Sequence, residues 1–216
     1  MNNKEIIDIA IPKGYLFEEC ISMFKDAGYD IKGLDPDMRK LFYTSEADGI
    51  RFVITRPMDI PVYVERGACD MGFAGKDVLE EIGSDVMELI DTKKGKCRLI
   101  AATLEDNIAS IKDKYRHFGM VTIATKYKNI AKRYFDSKGM QVEIIKLYGS
   151  VELAPMLKIA DEIVDITATG RSLSENNLEE VEELLVSTTR LIANKVSYRL
   201  KYDMIEDLMK RIGKTL

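Results

Sequence analysis

The sequence predicts an α/β protein built as two sheet-containing lobes. Three observations carry that expectation. Short apolar runs alternate with amphipathic segments from one end to the other, the pattern of βαβ units and of mixed, mostly parallel sheets with flanking helices. A polar and basic connector, Asp91-Thr92-Lys93-Lys94-Gly95-Lys96, interrupts this alternation. The 216 residues, 46% hydrophobic and 31% charged, suit one large globular domain or two small lobes. The expected division is residues 1–91 with 178–216 as lobe I, and residues 92–177 as lobe II.

Ile6–Ile11 reads as the first strand. Phe17, Cys20, Ile21, Phe24 and Ala27 then mark one helix face at spacings of three and four. Arg51–Thr55 is a strand, Asp59–Arg66 a short helix, Met71–Ala74 a strand, Asp77–Ile82 a helix and Val86–Leu89 a strand. Beyond the connector come strands at Arg98–Ala102 and Val121–Ala124. Ile130, Ala131, Tyr134 and Phe135 give a helix face that Gly139 ends. Gln141–Leu147 is a strand, and Gly149-Ser150 opens a helix with Ser150 as its N-cap and Glu152 near its positive end. Another strand follows, then an acidic helix or loop over Glu175–Glu183 and a strand-like run over Leu184–Ile192. The last helix lines up Leu200, Met204, Ile205, Leu208 and Ile212 as a core or subunit-contact face.

Bulk properties exclude several classes. A formal net charge of -4 argues against a general nucleic-acid binder, though not against a local basic pocket. No apolar run approaches the roughly 18 residues of a membrane span. The first eleven residues carry acids within their apolar stretch, so they read as a strand and not as a signal peptide. Cys20, Cys69 and Cys97 are an odd number at wide spacing, which points to reduced thiols in the cytoplasm. No Cys/His cluster offers a zinc site. His117 is the single histidine and reads as a surface or turn residue, so Ser-His or Cys-His nucleophilic chemistry has little to stand on.

The segment Asp161–Leu173 is the most informative. Ile163, Val164 and Ile166 form an apolar strand that empties into Thr167-Ala168-Thr169-Gly170-Arg171-Ser172. Small hydroxylated residues, a glycine and one cation after a strand are how α/β proteins hold a phosphate. Amides, hydroxyls and Arg171 supply donors, and Gly170 permits close approach. A carboxylate just upstream can accept hydrogen bonds from ribose hydroxyls. The combination describes a site for a phosphorylated sugar, although a plain turn with a helix cap uses the same residue types. Other strand ends also carry cations: Lys13-Gly14 after the first strand, Arg56 after Thr55, and Lys96 with Arg98 entering the second lobe. A polyanionic ligand would use these, and scattered surface charge would produce the same pattern. Asp77, after Gly75, suits a helix N-cap.

Several strings resemble the ATP phosphoribosyltransferase family. They are Ile11-Pro12-Lys13-Gly14, Asp59-Ile60-Pro61-Val62-Tyr63-Val64 with Gly67, Asp70, Gly72, Gly75 and Asp77, and Cys97-Arg98-Leu99. Ala124-Thr125-Lys126-Tyr127, Gly149-Ser150-Val151-Glu152-Leu153-Ala154-Pro155 and the segment through Leu173 continue the match in order. The resemblance implies a two-lobed fold like type II periplasmic binding proteins. It implies Mg²⁺-dependent transfer of the 5-phosphoribosyl group from phosphoribosyl pyrophosphate to N1 of ATP. With the chain ending near residue 216, without the C-terminal regulatory domain of long-form members, the expectation is the short form. Such a subunit works with a histidyl-tRNA-synthetase-like regulatory partner in a hetero-oligomer inhibited by histidine, and a homodimer of catalytic subunits is expected.

The implied site places phosphoribosyl pyrophosphate on Asp165, Thr167, Ala168, Thr169, Gly170, Arg171 and Ser172. Asp165 receives the ribose diol, with Glu152 as a catalytic helper. Lys13, Gly14, Arg56, Asp77 and Arg98 are candidates for ATP phosphates or pyrophosphate, in no settled order. Mg²⁺ would arrive with the substrate and not on a protein ligand set. Three positions depart from the family: Tyr15 stands where Arg is usual, Ser172 replaces Thr, and Glu162 and Asp165 lie three apart where many phosphoribosyltransferases pair adjacent acids. Three apart in a strand means opposite faces, so Asp165, nearest the loop, is the ribose acid and Asp161 and Glu162 are structural or solvated. The competing reading is a non-enzymatic two-lobed small-anion binding protein. A nicotinamide dehydrogenase is weaker, since no Gly-x-Gly-x-x-Gly follows the first strand.

Overall fold

Alternating apolar and amphipathic segments become alternating strands and helices, described for residues 6–35 and 40–216 in a computed structural model. Residues 1–5, part of the N-terminal reading above, lie outside that range. In chain order the elements are β1 (Ile7–Pro12), α1 (Tyr15–Asp26), β2 (Phe42–Ser45), β3 (Ile50–Thr55), α2 (Ile60–Glu65), β4 (Met71–Gly75), α3 (Lys76–Ile82) and β5 (Met87–Asp91). There follow β6 (Cys97–Leu104), α4 (Ile108–Phe118), β7 (Val121–Thr125), α5 (Lys128–Ser137), β8 (Val142–Lys146), α6 (Leu153–Met156), β9 (Glu162–Thr167), α7 (Arg171–Glu175) and β10 (Leu178–Ser187). The chain closes with β11 (Thr189–Ala193), α8 (Lys195–Leu200) and α9 (Tyr202–Gly213).

Two compact units result, Met1–Gly95 with Thr188–Leu216, and Lys96–Ser187. The first holds a sheet of order β2-β3-β1-β4-β11-β5, the second a sheet of order β10-β6-β9-β7-β8. Both sheets are mixed. Parallel pairing is confined to β3–β1–β4 and to β9–β7–β8, and the flanking strands pair antiparallel. The sheets are therefore less parallel than the alternation suggested, because the β2–β3 and β6–β9 pairs are antiparallel and β10 and β11 run back along strands already laid down.

In the first unit, α1 and α9 cover one sheet face. Phe17, Cys20 and Phe24 from α1 and Ile205, Leu208 and Ile212 from α9 pack with Phe52 and Phe73. Met204, Ile205, Leu208 and Ile212 of the expected stripe thus belong to the core, whereas Leu200 ends α8 and is exposed, because the chain breaks between α8 and α9. Phe24 meets Phe52 edge-on at 4.8 Å between ring centres. On the other face Ile60 and Val64 of α2 pack over Ala10, Ala74 and Ile192. Asp70, buried before β4, accepts from the Asp8 amide at 2.8 Å and from Lys201 Nζ at 2.7 Å. Asn194 caps α8 by accepting from the Val196 and Ser197 amides, and its Nδ2 donates back to the Val64 carbonyl.

The second unit departs from the sequence expectation in three places. The acidic stretch expected as helix or loop is largely strand: β10 pairs along β6 from Leu178↔Leu104 to Ser187↔Cys97. Its register slips twice, which frees Glu180 and Glu183 toward Arg98 while Glu182 meets Lys138. Charge on an edge strand keeps it from pairing further, so acidity here marks an edge and not a loop. The return to the first unit consequently falls at Thr188 and not near residue 178. α4 and, in the first unit, β2 were not anticipated; His117 sits in the last turn of α4, exposed, with Nδ1 2.7 Å from the Asp113 carbonyl.

Gly72 shows how tightly α2 lies on β4. A β-carbon there would sit 2.7 Å from Ile60 Cγ2 and 3.0 Å from Val64 Cγ2. Gly72→Ala should therefore lower unfolding free energy by about 1–3 kcal/mol through overpacking. Urea denaturation followed by circular dichroism checks it, and an unchanged midpoint would mean α2 lifts freely from the sheet.

Candidate functional site

β9 sorts its side chains by the two-residue strand period. Val164 and Ile166 join the cluster built by α4 and α5, with Leu99, Ile123, Ile130 and Phe135. Ile163 joins the opposite cluster with Ile100, Ala102, Ala124 and Ala154 of α6. Glu162 therefore shares the α4/α5 face, and Asp165 and Thr167 share the α6 face. The two acids stand on opposite faces, as their spacing predicts.

Thr167 is buried at the end of β9, and its Oγ1 accepts from the Gly170 amide at 2.9 Å. That bond folds the loop back on itself. Gly170 has φ of 76°, the left-handed region that glycine enters without a steric penalty, and it leads directly into α7. A β-carbon on Gly170 would meet nothing within 4 Å, so the space above it is open. Ala168, Thr169 and Ser172 are exposed. Gly170 supplies no side-chain cap to α7, and the Arg171 amide lies 3.5 Å from Thr169 Oγ1. The Arg171 side chain lies along the short helix, its Nε 2.7 Å from Glu175.

Asp165 sits half-buried below this loop. Burial pushes its carboxyl up to about 6 and the nearby Glu152 carboxylate adds to the rise, while the Ile166 amide and the Lys126 ammonium oppose it. Asp165, Glu152 and Lys126 are thus one electrostatic group. Parallel pairing explains the meeting: Thr125↔Val164 makes Lys126 and Asp165 the next residues along adjacent strands. Lys126 carried no assigned role in the sequence reading, because only the β7–β9 register brings it to Asp165. Glu152 arrives from a different local structure than expected. α6 begins at Leu153 with Glu152 at its N-cap position, while Ser150 adopts φ of 48° in the preceding turn and caps nothing. A one-turn helix started by this tight turn has no room for a cap two residues earlier.

The phosphate candidates divide between the units. Pro12↔Thr55 pairing places Lys13 and Arg56 just past the ends of neighbouring parallel strands, and the Lys13 amide donates to the Thr55 carbonyl at 2.8 Å. Gly14 takes φ 92° and ψ -152°, a region that is essentially glycine's alone. Among the described residues neither Lys13 nor Arg56 makes a salt bridge. Asp77 is not an N-cap: Gly75 holds that position, and Asp77 is buried in the first turn of α3 with partners in its surroundings. The β1–β4 pairing brings Gly75 to the same sheet edge as Lys13. Arg98 belongs to the second unit, paired in register with Thr167, and its guanidinium is held by Glu180 at 2.6 Å and Glu183 at 3.2 Å. It is a neighbour of the loop strand whose charge is already engaged. Asp161 is structural, accepting from Lys114 Nζ at 2.6 Å and from the Thr122 amide at 2.8 Å. Glu162 is not solvated but buried. Among the described residues no three His, Cys, Asp or Glu side chains gather as a metal site.

Comparison with known proteins bears on these residues. The ATP phosphoribosyltransferase (HisG) family model matches residues 56–214. The chain is 44% identical over 206 residues to the ATP phosphoribosyltransferase of Rubrobacter xylanophilus, covering 95% of this chain and 94% of that one. It is similar to a chain of the ATP phosphoribosyl transferase (HisG:HisZ) complex from Thermotoga maritima, with TM-score 0.80 and 33% identity over 97% and 98% of the two chains. The probable amino-acid ABC transporter extracellular-binding protein ytmK from Bacillus subtilis matches at TM-score 0.56 and 14% identity, over 97% and 93%. That last likeness shows the two-lobed binding-protein fold alone.

The electrostatic group has a direct test. Lys126→Met should move the Asp165 midpoint above about 6, and Glu152→Gln should move it below, since each removes one named influence. Carbon-13 titration of the Asp165 carboxyl reads both, and two unmoved midpoints would dissolve the group.

Proposed function

This chain belongs to the ATP phosphoribosyltransferase family, and on that premise we propose that the Thr167–Ser172 loop and Asp165 hold phosphoribosyl pyrophosphate. The enzyme carries out the first step of histidine biosynthesis, transferring the 5-phosphoribosyl group to N1 of ATP and releasing pyrophosphate. One observation supports the site assignment above others. A half-buried acid with a raised midpoint stands two residues before an open loop of hydroxyls and glycine, on the face that also carries Glu152.

The reaction needs charge placement more than a nucleophile. The anomeric carbon develops oxocarbenium character as the bond to pyrophosphate breaks and the bond to adenine N1 forms. Above its midpoint the Asp165 carboxylate accepts hydrogen bonds from the ribose hydroxyls and fixes the ring. Glu152 adds negative potential near the developing cation, and Lys126 keeps Asp165 from rising further. The amides of Ala168, Thr169 and Ser172, with the hydroxyls of Thr169 and Ser172, take the 5-phosphate, with Ala168 and Gly170 leaving it room and Arg171 adding charge once released from Glu175. Thr167, buried, shapes the turn. Lys13, Gly14 and Arg56 are our candidates for the phosphates of ATP or the departing pyrophosphate, Arg98 a further one if its glutamates yield it. Asp77 supports the start of α3.

We assign Mg²⁺ to the substrate's diphosphate, where it would neutralise leaving-group charge. The HisG:HisZ complex of Thermotoga supports a hetero-oligomer; we assign its other component as a histidyl-tRNA-synthetase-like regulatory subunit and expect the catalytic subunits to dimerise. Free, buried Cys20, Cys69 and Cys97 support a reducing, cytoplasmic setting. Family membership disfavours the non-enzymatic anion-receptor reading.

Incubation with ATP, phosphoribosyl pyrophosphate and Mg²⁺, with and without the regulatory subunit, should yield a phosphoribosyl mass gain on ATP and free pyrophosphate; no product in either condition would reject the reading. Asp165→Asn should lower kcat/KM for phosphoribosyl pyrophosphate by the equivalent of about 1–3 kcal/mol. Wild-type kinetics in that variant would move the ribose role to Glu152. Because the carboxylate form binds the diol, wild-type kcat/KM should fall as pH drops through about 6, and the asparagine variant should lose that limb. Gly170→Val should stay folded yet lose phosphoribosyl pyrophosphate binding by calorimetry, and retained affinity would displace the loop from its role.

A further inference from the structure

The face of the second sheet that carries Glu162 has a hollow of its own. A cavity of about 450 Å³ lies there, walled by Ala101, Ile108, Ile111, Phe135 and Met140. Tyr115 and Arg116 of α4 and Glu180 and Glu182 of β10 complete its lining, with Glu162 among them. All belong to the second unit, on the opposite sheet face from Asp165, so this hollow is separate from the loop site. Its volume falls within the range of small-ligand sites, roughly 300–1,000 Å³.

Glu162 is only 6% exposed, yet among the described residues its carboxyl has no hydrogen-bond or ion-pair partner. The other charges nearby are engaged. Glu180 holds Arg98 at 2.6 Å, Glu182 meets Lys138, Asp161 holds Lys114 at 2.6 Å, and Arg116 lies 3.5 Å from Asp113. Its β7 partner in register, Ile123, is uncharged, and Ala101 of β6, opposite Val164, lines the same hollow. Burying a lone carboxyl is costly unless something pairs with it. A cavity with apolar and aromatic walls and one uncommitted acid is complementary to an apolar cation, through charge pairing with the acid and attraction to the rings.

We infer that this cavity binds a small organic cation, an ammonium or amidinium on an apolar body, with Glu162 as its anchor. Burial, with Asp161 and Glu182 nearby, pushes the Glu162 carboxyl up to about 7. The ionised form is the one that pairs, so protons compete with the ligand below about 7 and binding tightens as pH rises through that value. Tyr115 and Arg116 from α4 and Glu180 and the Lys138-paired Glu182 from β10 face the same hollow, and the Lys114-paired Asp161 precedes Glu162 in the chain.

Calorimetry on the full chain with phenethylammonium and its neutral counterpart phenethyl alcohol, at pH 6, 7 and 8, tests this. At pH 8 the ammonium should bind about tenfold tighter than the alcohol, the worth of one charge-assisted bond. That preference should shrink at pH 6 and vanish in Glu162→Gln. Ile108→Trp, which adds bulk to the wall of the hollow and leaves Glu162 in place, should abolish binding of both compounds and leave phosphoribosyl transfer unchanged. Methyl NMR on the wild type should place the largest shifts at Ala101 and Ile111. Equal affinity for ammonium and alcohol at pH 8, a preference that survives Glu162→Gln, or shifts centred elsewhere would each overturn the inference. The wild-type comparison and Ile108→Trp decide it even if Glu162→Gln does not fold.

Discussion

The second unit depends on the register of β9, clamped antiparallel against β6 and parallel against β7. A strand held on both sides cannot slip by one residue without exchanging its faces, which would move Asp165 among the α4/α5 residues and Val164 to the α6 face. With the register held, the same six residues deliver an acid and a buried threonine to one face and a second acid to the other. The loop after Thr167 then starts from a fixed point, and Thr167 Oγ1 sets its first turn.

Charge in this molecule divides into groups that are spent and groups that are held open. Arg98, Lys114, Lys138 and Lys76 are occupied by glutamates and aspartates of their own unit. Such pairs, partly exposed, add little stability individually, but they remove cations from competition for a polyanion. Lys13 and Arg56 stay outside these pairs at one sheet edge. Asp165 and Glu162 are both raised by burial first, but their surroundings differ: Asp165 has a cation and an amide opposing the rise, whereas Glu162 has only further acids. Two carboxyls three residues apart are therefore suited to different partners.

Much of the fold was legible because local chemistry and tertiary position agreed. The α1 stripe read from spacing packs on the first sheet, and so does the terminal stripe apart from Leu200, which falls in α8. Gly170 read as a phosphate-loop glycine occupies a left-handed position. Where reading failed, local signals had a second explanation. Four glutamates between Leu178 and Leu184 look like a solvated helix until β6 is beside them, when they become the charged outer edge of a sheet. Ser150 reads as an N-cap with Glu152 in the first turn, but the turn that precedes α6 is too tight for it, and Glu152 holds the N-cap position.

By itself the sequence determined the alternation of strands and helices, the faces of its amphipathic helices, the family, and the separation of Glu162 from Asp165, because each follows from residue spacing along one element. Only the tertiary structure decided that Lys126 joins Asp165, that Arg98 is engaged by Glu180 and Glu183, that Asp77 is buried in a first turn, and that Glu162 faces a hollow. These follow from which strands become neighbours and in what register, and that is set by packing between residues far apart in the chain.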